Sequence, residues 1–167
     1  MSNTTPWQRY QQDLKSGFIL PDQTQEYAMQ LLEKLYQKLL RESIRRRLFT
    51  KLIRKSQTIK GAYLWGNVGT GKSYLVNTFF ASLPFAQKKR YHFHEFMQQV
   101  HAQLKKLQGQ TDPLKKLAKT WAKDTYVLCL DEFLVKDIAD AMILANLLHA
   151  LFAAGVCLVT TANLPPQ

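Results

Sequence analysis

Residues 66 to 73 read Gly-Asn-Val-Gly-Thr-Gly-Lys-Ser, a stretch of the form G-x-x-x-x-G-K-S. Each residue type in it has a physical task. Gly66, Gly69 and Gly71 let a backbone fold tightly round a polyphosphate with no Cβ in the way. Asn67, Val68 and Thr70 add their N–H groups to the same wrap, and a helix beginning at its end presents a positive dipole to the phosphates. In that arrangement Lys72 reaches the β- and γ-phosphates and the Ser73 hydroxyl ligates Mg²⁺.

Two further stretches carry groups that complete such a site. Tyr126-Val-Leu-Cys-Leu-Asp-Glu132 is an apolar run ending in two carboxylates. An uninterrupted apolar run of strand length predicts a strand buried on both faces, central in a parallel sheet. Asp131 at its carboxyl end is placed to hold Mg²⁺ with Ser73, and Glu132 to orient and deprotonate an attacking water. Val156-Cys-Leu-Val-Thr-Thr-Ala-Asn163 is a third apolar run with a polar end. Asn163 there reads equally as a hydrogen-bond donor to the water or γ-phosphate and as an ordinary turn residue.

Such groups converge only if regular elements place them. Ala62-Tyr-Leu-Trp65 precedes the loop as an apolar strand, and Tyr74, Leu75, Phe79 and Phe80 follow it at helical spacing, with Leu83 closing the face at Pro84. The pattern predicts strands near 61–65, 90–94, 126–131 and 156–161, and helices near 72–83, 95–107, 112–123 and 138–153. Regular alternation of this kind implies a three-layer α/β domain over residues 59–167, with its ligand at the carboxyl ends of parallel strands. Asp137 with Asp140 reads as a helix cap and its third-position acid, a structural role rather than a catalytic one.

Residues 1–58 predict a helical N-terminal region. Pro21-Asp22 is a start signal, and Tyr27, Leu31, Leu32, Leu35, Tyr36, Leu39 and Leu40 form one apolar stripe. Downstream, Ile44, Leu48, Leu52 and Ile53 alternate with basic residues. The segment 41–60 holds eight Lys/Arg against one Glu, so +7 of the net +11 charge sits there. A basic amphipathic segment suits anionic lipid, nucleic acid or an acidic partner, and equally a solvated insertion. Lys105, Lys106, Lys115, Lys116, Lys119 and Lys123 mark exposed helix faces.

A chain of 167 residues with 46% hydrophobic content supports one domain plus an appendage. No apolar run has membrane-spanning length, and the first residues resemble neither a signal nor a transit peptide, so a cytosolic protein is expected. Cys129 and Cys157 both fall in predicted core strands and read as small buried hydrophobes. His92 and His94 are expected to share one face of the second strand, with His101 beyond them. No carboxylate or cysteine completes a zinc set.

The residues also carry a resemblance. Gly61-Ala-Tyr-Leu-Trp-Gly-Asn-Val-Gly-Thr-Gly-Lys-Ser73 is similar to the phosphate loop of the ZapE cell-division ATPases, also called the AFG1-like ATPase family. Their further signatures follow in order: His92-Phe-His-Glu-Phe-Met97, Leu107-Gln-Gly-Gln-Thr-Asp-Pro113, Leu128-Cys-Leu-Asp-Glu-Phe133, Val135-Lys-Asp-Ile-Ala-Asp-Ala-Met142 and Thr161-Ala-Asn-Leu-Pro-Pro166. The resemblance runs from about Tyr10 to Gln167. It implies an AAA+-type P-loop ATPase, with bacterial members associated with the division ring and its tubulin-like protein FtsZ. By the resemblance, Gly66 to Ser73 bind ATP, Asp131 and Glu132 form the Walker B pair, and Asn163 matches sensor 1.

Thr70 stands where the family usually has Arg, and Leu130 and Leu134 replace common aromatics. Family members continue past the Asn-Leu-Pro-Pro motif into the region that supplies the arginine finger and lid of AAA+-type ATPases. In that class a further strand flanks the phosphate-loop strand, which is here expected to form a sheet edge. The reading that follows is a Mg²⁺-dependent ATPase acting on a division protein, with homo-oligomerisation and contact with anionic membrane through 41–60 as attendant expectations. Two alternatives stand beside it. One is a nucleic-acid-associated ATPase such as a helicase loader; the other is a nucleotide-gated binding module without turnover.

Overall fold

Every residue of Val127-Leu-Cys-Leu-Asp131 is buried, as a strand with neighbours on both edges and helices on both faces requires. In the computed structural model, which describes residues 4–48 and 58–165 (47 and 48 by backbone alone), this strand is β3. It lies between β2 (Lys88–His92) and β4 (Cys157–Ala162), and β4 in turn pairs with β1 (Ala62–Trp65). All three pairings are parallel, giving the order β1-β4-β3-β2. β1 is therefore an edge strand among the described residues, as expected for the strand that feeds the phosphate loop.

Strand periodicity divides the core into two layers. Val127, Cys129, Cys157 and Val159 face α1 (Pro6–Lys15), α2 (Gln23–Leu48) and α3 (Lys72–Ser82). Leu128, Leu130 and Val156 face α4 (Phe93–Lys106), α5 (Pro113–Trp121) and α6 (Ile138–Ala153). Helices on both faces of a parallel sheet make the three-layer arrangement that the alternation implied. The N-terminal helices are part of the first layer. Tyr10, Met29, Leu32, Tyr36 and Leu39 join its core, and the Tyr74 hydroxyl of α3 donates to Asp13 of α1 at 2.6 Å.

Local chemistry sets the helix starts. Thr5 and Gln8 form a reciprocal capping box ahead of α1, with Pro6 at its first position. Asp22 accepts from the Gln25 N–H at 2.8 Å, and Asp137 accepts from the N–H groups of Ala139 and Asp140. Both residues act where the sequence placed a helix start.

Three expectations need correction. β2 begins at Lys88, two residues before the expected start, so His92 is the N-cap of α4 and His94 lies inside that helix. The two histidines share no strand face. On α2 the buried ridge is Met29, Leu32, Leu35, Tyr36 and Leu39, while Tyr27 and Leu31 are 65% and 45% exposed. Spaced four apart, Tyr27 and Leu31 lie on a neighbouring ridge that turns away from the sheet. Ile44 is exposed and Leu48 ends α2, with Arg45 and Arg46 paired to Glu42 at 3.6 and 3.7 Å; residues 49–57, Leu52 and Ile53 included, lie outside the described residues.

The close approach of β1 to β4 yields a first prediction. A Cβ on Gly61 would stand 1.6 Å from the Leu158 carbonyl oxygen, a backbone atom that no rotamer change can move. Gly61→Ala is expected to cost about 1–3 kcal/mol, read as a lower urea midpoint with unchanged slope.

The cysteines give a second. Cys129 and Cys157 are both buried, and burial pushes each thiol up to about 12. The raised value keeps both thiols neutral at and above physiological pH, so the reactive thiolate is scarce. Neither is expected to react with Ellman's reagent near neutral pH until denaturant unfolds the chain, whereupon both titrate.

Candidate functional site

The loop between β1 and α3 is shaped by its glycines. Gly69 and Gly71 have φ of +85° and +82°, a region that side chains disfavour, and Gly71 is the N-cap of α3. The Lys72 ammonium donates to the carbonyls of Gly66 at 2.8 Å and Asn67 at 2.7 Å, so it stands inside the curve of the loop. Thr70 donates its hydroxyl to the Asn67 carbonyl at 2.9 Å. Its own carbonyl accepts from Gln25 at the start of α2 at 3.2 Å, tying the N-terminal helices to the loop.

The donor set fits a polyphosphate. Among the described residues, the N–H groups of residues 67 to 71 take no intramolecular acceptor. A Cβ on Gly69 would meet nothing within 4 Å, so space lies open in front of that residue. Five such donors, an ammonium and a helix start form a coherent anion cradle. Ser73 is exposed in the first turn of α3. Among the described residues no cluster of three His, Cys, Asp or Glu side chains could hold a metal unaided. The Ser73 hydroxyl and the Asp131 carboxylate are oxygens of the kind Mg²⁺ takes from a protein, one or two of them with phosphate and water completing the shell.

The two carboxylates divide by environment. Asp131, 5% exposed, accepts from Arg90 Nε at 2.6 Å and from the Thr161 hydroxyl at 3.4 Å. Glu132 is exposed and sits at φ +56°, a left-handed conformation in a non-glycine residue. Such backbone costs about 1–3 kcal/mol and persists only where neighbours impose it. Thr161 does so on β4: its hydroxyl accepts from the Glu132 N–H at 3.1 Å and its carbonyl from the Phe133 N–H at 2.7 Å. The Glu132 side chain is thereby turned away from the line of β3.

Glu132 and Asn163 line the same cleft of about 650 Å³ at the carboxyl ends of the strands. His92, His94, Asp137 and Asp140 are also in its wall. The phosphate loop is not part of that wall, but β4 connects the two. Gly66 N–H donates to the Ala162 carbonyl at 3.3 Å, so Asn163 follows the residue bonded to the start of the loop.

Sequence reasoning missed Arg90, Asn77 and Thr161. Arg90 bridges Asp131 and the Asn77 side chain, the latter at 3.0 Å. Asn77 is one helical turn after Ser73, so the bridge spans α3, β2 and β3. The only sequence sign of it was an arginine in a strand, which had no apparent partner within reach.

A family model described as AFG1-like ATPase matches residues 4–167. Cell division protein ZapE of Escherichia coli strain K12 is 42% identical over 179 aligned residues, covering 100% of this chain and 48% of that protein. The chain thus spans about half the length of that relative. Among solved structures, AMPPCP-bound DnaA from Aquifex aeolicus matches with a TM-score of 0.60 at 14% identity, over 98% of this chain and 43% of that one. The DnaC helicase loader matches with a TM-score of 0.60 at 12% identity, over 90% of this chain and 76% of that one. At such identities the likeness is one of fold alone, a parallel sheet with helices on both faces. By the match along nearly its whole length, the chain belongs to the AFG1-like ATPase family.

Proposed function

We propose that the chain binds ATP with Mg²⁺ at the loop 66–73 and hydrolyses the terminal phosphoanhydride. The observation that carries this reading is the convergence of Glu132 and Asn163 on one cleft, with β4 linking it to the loop. Lys72 and the loop N–H groups bind and orient the phosphates. Glu132, whose left-handed backbone turns it out of the strand, accepts the proton of the attacking water, and Asn163 orients that water. Ser73 and Asp131 are the residues that would hold Mg²⁺, which when bound would supply neutralisation of the charge developing on the phosphoryl oxygens.

Membership of a family that includes a cell division protein supports a partner in the division apparatus, with FtsZ the first candidate. We place this work in the cytoplasm, with the division site or inner membrane as a peripheral location and the chain self-associating. The test is ATP turnover per chain against chain concentration, with nucleotide-dependent pelleting of the chain on FtsZ filaments in parallel. Turnover that rises with concentration supports an ATPase assembled between copies. A folded chain that binds ATP, turns none over and still pellets only with ATP would favour the nucleotide-gated binding module instead.

A further inference from the structure

A buried carboxylate needs a cation, and the Asp131 carboxylate already has one. Its Oδ2 lies 2.6 Å from Arg90 Nε, and the two side chains are 7% and 23% exposed respectively. At that distance the guanidinium is the carboxylate's hydrogen-bonded counter-ion, not a remote charge. The other nitrogen used by Arg90 donates to Asn77, on the helix turn that follows Ser73. Arg90 is thus tied to both elements that the proposed function assigns to Mg²⁺: β3 through Asp131, and α3 beside Ser73.

A divalent ion approaching Asp131 would meet a fixed positive charge on the same carboxylate. We infer that Arg90 is a resident counter-ion that withholds Asp131 from divalent metal until nucleotide phosphates arrive to share the ion, so that metal and nucleotide enter together. The inference rests on the nucleotide reading above and adds the order of binding to it. The arginine acts through Asp131 and is a positioning residue, not a catalytic one. Removing its charge leaves a buried carboxylate that seeks another cation, and the metal alone then becomes a favourable partner.

The experiment uses the full chain without nucleotide and Mn²⁺ alone as the probe, with binding followed by electron paramagnetic resonance. Arg90→Met is expected to tighten Mn²⁺ binding about tenfold or more over the parent chain, a size usual for coupling between two sites. The gain should vanish in Arg90→Met/Asp131→Asn. Arg90→Gln, which keeps a polar partner for Asn77 and Asp131, should move in the same direction and serves if the methionine variant does not fold. Mn²⁺ should also raise the melting temperature of either variant by more than that of the parent. A structural role alone would lower the melting temperature of folded Arg90→Gln while leaving its Mn²⁺ affinity unchanged, and that result would overturn the inference. Titration of the parent with MgATP separates the two claims. Failure to bind overturns the nucleotide reading and this one together, whereas normal binding with unchanged Mn²⁺ affinity in the variants overturns this one alone.

Discussion

Lys72→Ala is expected to lower ATP affinity by about two to three powers of ten and to leave no measurable turnover. The side chain has two roles at once. Its ammonium bonds the carbonyls of Gly66 and Asn67 at 2.8 and 2.7 Å, which holds the loop curved. The same charge is the nearest cation to any phosphate lying in that curve. Losing one preorganised donor to a phosphoryl group costs about 2.7–4 kcal/mol. Folding should be little affected, because Lys72 is the first residue of α3, where its propensity matters least. The check is a fluorescence titration with a labelled nucleotide, read beside a thermal melt. Affinity within about threefold of the parent would mean that the loop N–H groups bind phosphate without the charge.

Glu132→Gln is expected to give the opposite separation, with binding kept and hydrolysis lost. The substitution preserves shape and leaves the backbone N–H bonded to Thr161, so the left-handed turn at φ +56° survives. What it removes is the ability to accept a proton. Positioned general bases contribute about 10²–10⁴-fold, and the rate should fall by that amount. Because Glu132 is exposed, stability should change by no more than about 0.5 kcal/mol. The measurement pairs steady-state phosphate release with nucleotide affinity for the same preparation. Retained turnover would assign the base elsewhere in the cleft, with His92, His94, Asp137 and Asp140 the candidates in its wall.

Much of this was legible in the sequence because burial on both faces writes itself as an apolar run. β1, β3 and β4 lie within a residue or so of where their runs predicted. The turn at residues 66–71 was legible because its glycines answer to local backbone geometry. β2 was legible as a strand but placed two residues late, since Lys88-Lys-Arg-Tyr-His92 has no apolar run to fix its bounds. Among the described residues it is an edge strand whose charges find their partners outside the strand. Lys88 bonds the carbonyls of Phe80 and Leu83, Lys89 pairs with Asp124, and Arg90 pairs with Asp131. Partners brought together by topology leave no local signal. For the same reason Asp131 was read as a metal ligand without its arginine, and Thr161 passed unremarked beside Asn163. The start of α1 was a different kind of miss. Thr5, Pro6 and Gln8 spell a capping box that was readable and was not read.

The measurement that tests the central claim most directly is calorimetric titration of the folded chain with ATP, with and without Mg²⁺, alongside Lys72→Ala. The account predicts one saturable site per chain, weakened when Mg²⁺ is removed and lost in the variant. Equal binding by parent and variant, or none by a folded parent, would contradict it.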